Sequence, residues 1–127
     1  MLVPAALRAQ NASKEKAGLA AAEKWLSLVD AGQYADSWKQ AATPFRHAVT
    51  QEKWEEALLS VRKPLGKLVS RHLKTSMYKT SLPGAPDGEY VVMQFNTSFS
   101  HKKSAVETVT TVLDQDGKWH VAGYFIM

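Results

Sequence analysis

The sequence predicts an α+β domain: three N-terminal helices packed on a four-stranded antiparallel sheet. Three observations predict it. Apolar residues recur at three- and four-residue spacing up to about residue 65. After Gly66 the period changes to two. The dipeptide Asp116–Gly117, between two β-branched or aromatic runs, is a hairpin signal. Helices first and strands second make the two halves segregated.

Ser13 is placed to cap the first helix, which runs to about Ala31 with Leu19, Ala22, Leu26 and Val29 on one stripe and Trp25 beside them. Gly32 is its natural stop. A second helix fits Gln33–Ala42, with Tyr34, Trp38 and Ala41 on one side. Pro44 then blocks continuation, because proline lacks a donor and restricts Thr43. Thr50 caps a third helix, QEKWEEALLSVRK, whose acids suit its positive end and whose stripe is Trp54, Ala57, Leu58 and Val61. Pro64 and Gly66 end it. The strands follow: LVSRHLKTSMYK, in which Val69, Leu73 and Met77 alternate with polar residues but Arg71 and Thr75 interrupt; EYVVMQFNTSF after a Pro/Gly loop; AVETVTTVLD; and KWHVAGYFIM.

At 127 residues the chain is one domain, long enough to bury a core without staples. No run of about 18 apolar residues is present, so no membrane span is expected. The absence of cysteine removes disulfides, thiolate catalysis and Cys-type zinc sites. The net charge of +4 is mild but uneven. Between Ala57 and Pro86 stand Arg62, Lys63, Lys67, Arg71, Lys74 and Lys79 without an acid. Arg71, Lys74 and Lys79, near Tyr78, offer a phosphate track, but with no recognised binding signature a solvated face is the better reading and nucleic acid is not expected as a partner. Residues 1–12, MLVPAALRAQNA, read as a disordered tail or the remnant of a secretory signal, with Ala9 or Ala12 as cleavage residues. Residues 13–127 are then the domain, and a periplasmic or secreted location follows as an expectation.

If Gln115 pairs with Lys118 across the last turn, one face of the final hairpin carries Glu107, Val109 and Thr111 opposite Ile126, Tyr124 and Ala122, with His120 on the same face nearer the turn. The other carries Val106, Thr108, Thr110 and Val112 opposite Phe125, Gly123 and Val121. Both faces are substantially apolar, and helices cover one. The outer face is therefore expected to meet a partner, most simply a second copy of the chain.

Together, WLSLVDAGQYADSWKQAATPFR, PLGKLVSRHL, LPGAPDGEYVVMQFNTSF and ETVTTVLDQDGKWHVAGYFI resemble a bacterial family, domain of unknown function 4019, within the nuclear-transport-factor-2-like or cystatin-like superfamily. The resemblance covers roughly residues 20–127. It implies a helix-backed curved sheet, export in many members and dimers through the sheet. It implies no activity, since superfamily relatives include isomerases, dehydratases, epoxide hydrolases and pure binding proteins.

Glu107 stands out as the one charge in AVETVTTV. An acid facing an apolar interior is disfavoured in its charged form and suits general acid–base work, with Tyr124 as its diagonal neighbour. The plainer reading puts it at the solvated start of the strand, paired with a lysine. Gln94 and Asn96 alternate with Met93 and Phe95; facing inward they line a ligand pocket together with His120, facing outward they are surface amides. The four histidines lack metal-ligand spacing, so neither metal nor cofactor is expected. The expected function is a non-enzymatic binding module for a small apolar ligand or a protein partner. The alternative is a small-molecule isomerase, lyase or hydrolase using Glu107. An enzyme needs a buried acid in an open cavity; a binding module can have a dry cone or no cavity at all.

Overall fold

A computed structural model describes residues 4–127. Helix α1 runs Ala5–Asp30, α2 Tyr34–Lys39, α3 Thr43–Ala48 and α4 Gln51–Leu65; strands β1 (Leu68–Lys79), β2 (Tyr90–Phe99), β3 (Lys102–Leu113) and β4 (Trp119–Ile126) follow. The sheet is an antiparallel meander in the order β1-β2-β3-β4.

The helical half differs from its sequence-based outline at Ser13, at Pro44 and at Pro64, the last of which lies inside α4 and does not end it. Ser13 lies inside α1 and does not cap it; the run Ala5-Ala6-Leu7-Arg8-Ala9-Gln10 consists of strong helix formers and continues the helix back to Pro4. Residues 5–10 are exposed on that extension, and residues 1–3 of the expected tail lie outside the described residues. Pro44 starts a helix where it was expected only to stop one. It occupies the first turn of α3, where a missing N–H is harmless. The Thr43 N–H and hydroxyl both donate to the Asp114 carboxylate, at 2.8 and 2.9 Å, which pins that turn to the sheet.

Thr50 caps α4 as expected, accepting from the Lys53 N–H. Gly66 ends it with a φ of 77°. A β-carbon there would also stand 2.1 Å from Ser100 Oγ, so both the backbone and the β2–β3 turn require glycine.

The interior between α1, α4 and the sheet is filled by Trp25, Leu26, Leu58, Met93, Phe95 and Val109, all buried. α1 approaches the sheet closely at Gly18, where a β-carbon would lie 2.7 Å from Val91 Cβ.

Register decides which side chains share the inner face, and β-bulges change it twice between β1 and β2 and once between β3 and β4. In β1, shifts between Leu68 and Ser70 and between Leu73 and Thr75 leave Val69 and Met77 outside while Arg71 pairs with Thr97 on the inside. The last hairpin has a three-residue loop: the Asp114 N–H bonds the Lys118 carbonyl at 2.9 Å, one position off the expected pairing. A bulge at Ala122 restores the expected register beyond it, so Glu107↔Ile126 and Val109↔Tyr124 pair as read from the sequence. Nearer the turn the pairs are Thr111↔Val121, Val112↔His120 and Leu113↔Trp119. Trp119 and Val121 therefore face inward, and His120 leaves the face that carries Glu107.

Candidate functional site

Glu107 is fully buried on the inner face of β3. It sits neither at a solvated strand end nor beside a lysine. Its Oε1 accepts from Arg71 Nε at 2.6 Å and from the Thr97 hydroxyl at 2.6 Å. Its Oε2 accepts from Arg71 Nη2 at 3.1 Å and from the Tyr124 hydroxyl. Four donors saturate the carboxylate, leaving no face of it open to a substrate.

The network extends away from the sheet. Arg71 turns its Nη1 and Nη2 to Asp30, at 2.7 and 3.0 Å, so one guanidinium bridges two carboxylates. Arg62, from the last turn of α4, donates to Asp30 Oδ1 at 2.9 Å and lies over the Phe99 ring. Asp30 closes α1, at the end where the helix dipole disfavours an acid. Burial pushes its carboxyl up, but Arg71 and then Arg62 hold it below the usual carboxylate range. Burial, followed by the Glu107 charge, drives the Tyr124 phenol well above its ordinary value, so it stays a donor. Two cations and two anions cancel, and the cluster joins α1, α4, β1, β2, β3 and β4.

Sequence reasoning brought Glu107 and Tyr124 together and missed Arg71, Arg62, Asp30 and Thr97. A signal was present. Arg71 interrupts the apolar alternation of β1 as Glu107 interrupts that of β3, and two opposite charges buried on one sheet face need each other. It follows that two of the six cations in the acid-free stretch are interior, and Arg71 is not part of any phosphate track.

The remaining candidates fall elsewhere. Gln94 and Asn96 point to the outer face and line no cavity between helices and sheet; Gln94 accepts from the Thr75 hydroxyl at 3.4 Å, and Asn96 borders a shallow outer groove with Ser70, His72 and Lys103. His120 is bound at both nitrogens, Nδ1 to the Gln40 carbonyl at 3.0 Å and Nε2 to Asp116 at 2.8 Å. It borders a cleft of ≈ 510 Å³ between α1 and the β3–β4 hairpin. Among the described residues no cluster of His, Asp and Glu is arranged to hold a metal ion, and no helix is long and apolar enough to cross a membrane.

A family model described as protein of unknown function, DUF4019, matches residues 21–124. The span takes in every member of the buried network. No curated protein matches the chain.

Proposed function

We propose, from the premise that the chain belongs to the DUF4019 family, that it is a non-enzymatic binding domain working through its outer sheet face. The carrying observation is the state of Glu107. The side chain best suited to acid–base chemistry is sealed from solvent and fully hydrogen-bonded, while the space around it is packed with Trp25, Phe95 and Val109. A general acid or base needs reach to a reacting atom. Glu107, with Tyr124 locked to it, has the geometry of a structural element. Two clefts border the network, one of ≈ 270 Å³ against Asp30 and Arg71 and one of ≈ 290 Å³ against Tyr124, and neither is lined by Glu107.

The outer face has the opposite character. Val69, Met77 and Phe125 are 65, 49 and 54% exposed on it. Four strands about 4.8 Å apart and about ten residues long present at most roughly 600 Å², since Ala42 and Leu82 already pack over Tyr90, Val112 and Ala122 at one end. Two such faces in contact bury at most roughly 1,200 Å², the lower bound of a specific interface. A second copy of the chain is the partner this fits, in line with the dimers of nuclear-transport-factor-2-like proteins, whose helix-backed sheet this architecture resembles. The apolar-then-small order of residues 1–12 supports export from a bacterial cytoplasm.

Light scattering on the purified chain at micromolar concentration tests the reading. A mass near twice 14.1 kDa is expected, falling to the single value in Phe125→Glu/Met77→Glu. A monomer across that range overturns the homodimer, and turnover abolished by Glu107→Gln in a folded protein overturns the non-enzymatic assignment.

A further inference from the structure

The cleft between α1 and the last hairpin differs from the rest of the surface. Its volume, ≈ 510 Å³, falls in the range of small-molecule sites. Its floor is Trp25 and Val121, both buried, and its walls are Trp119 and Leu28. Ala20 on α1 leaves the space that a larger side chain would fill. The bulge in β4 creates the site, because it turns Trp119 inward and moves His120 to the rim.

The rim carries Lys24 and Lys118, whose ammonium groups have no partner among the described residues, and a single acid, Asp116. That acid is already occupied. Its Oδ2 meets the His120 ring and its Oδ1 accepts from the Lys118 backbone N–H at 3.0 Å. The charge left for a visitor is positive, above a floor and wall of indole rings.

We propose that this cleft binds a small organic anion with a flat apolar body, such as an aromatic carboxylate or sulfonate. The rings stack on or slot against Trp119 and Trp25, and the anionic group sits between Lys24 and Lys118. The site is separate from the outer face and does not depend on dimerisation.

The probe is 8-anilinonaphthalene-1-sulfonate, titrated into the full chain beside the uncharged N-phenyl-1-naphthylamine, with fluorescence and the Trp119 indole N–H resonance as readouts. Saturable binding of one dye per chain is expected, with the Trp119 resonance moving and the neutral analogue binding about tenfold more weakly. Lys24→Gln/Lys118→Gln should weaken the anion about tenfold and leave the neutral dye unchanged. Ala20→Phe should exclude both. All three positions are exposed, so folding is retained. Absence of saturable binding, equal affinity for the two dyes, indifference to Ala20→Phe, or loss of binding in Phe125→Ala each overturns the proposal, the last by placing the dye on the outer face.

Discussion

Two charged clusters lie at opposite reaches of the same sheet, and they behave differently. Around Glu107, two arginines and two acids are enclosed, with Glu107 fully buried and Arg62 only 5% exposed. Around His120, an aspartate, a histidine and two lysines surround a cleft open to water. Residue chemistry does not separate them. Burial does, even though Arg62 Nε and Nη1 are enclosed without a hydrogen-bond partner. In the first, each charge is fixed by partners it cannot lose without leaving an opposite charge stranded. In the second, water replaces any partner that is removed, so the groups are free to exchange one contact for another, as binding requires.

The largest expected effect lies in the sealed cluster. Arg71→Met strands Glu107 in the interior and should cost about 3–5 kcal/mol in urea unfolding. Glu107→Gln, nearly neutral for a lone buried acid, should here cost about 3 kcal/mol, because it takes a full charge away from Arg71. The double variant Arg71→Met/Glu107→Gln should cost clearly less than the sum of the two single losses; if the losses simply add, the pair is not coupled and the comparison fails.

Acid should discriminate next. The folded Asp30 carboxyl is held below its unfolded value of about 3.9. Its contribution is therefore complete above that pH and disappears as pH falls through the folded value. The stability gap between wild type and Asp30→Asn, measured by unfolding midpoints, should narrow below about pH 4. Thr97→Val removes one neutral donor from Glu107 and should cost about 1–2 kcal/mol. Asp116→Asn, in the open cluster, should leave the unfolding midpoint unchanged within error. A large loss there would erase the distinction between the two clusters.

The strands and their order were legible in the sequence because period-two patterning and turn residues are local signals; β1 starts and ends at the residues read from the pattern. The α3 helix was not, because Pro44 both ends and begins helices and only the Asp114 contact decides between them. The site was half legible. Glu107 and Tyr124 share a face beyond the bulge, where pairing follows the alternation. His120 lies on the other side of Ala122, and neither the three-residue loop nor the compensating bulge shows in the alternation itself. Arg71 was visible as an interruption, but its bulges hid the face it takes.

The buried network also bears on the order in which the molecule assembles. Each hairpin of the meander joins neighbours in sequence and closes at small entropic expense. The Asp30–Arg71 and Arg71–Glu107 contacts span 41 and 36 residues and meet only when helices and sheet are already docked. They are expected to be absent from the folding transition state. In stopped-flow measurements Arg71→Met should then accelerate unfolding and leave the refolding limb almost unmoved. The network would act as a latch that closes last, setting how long the native state survives rather than how quickly it is reached.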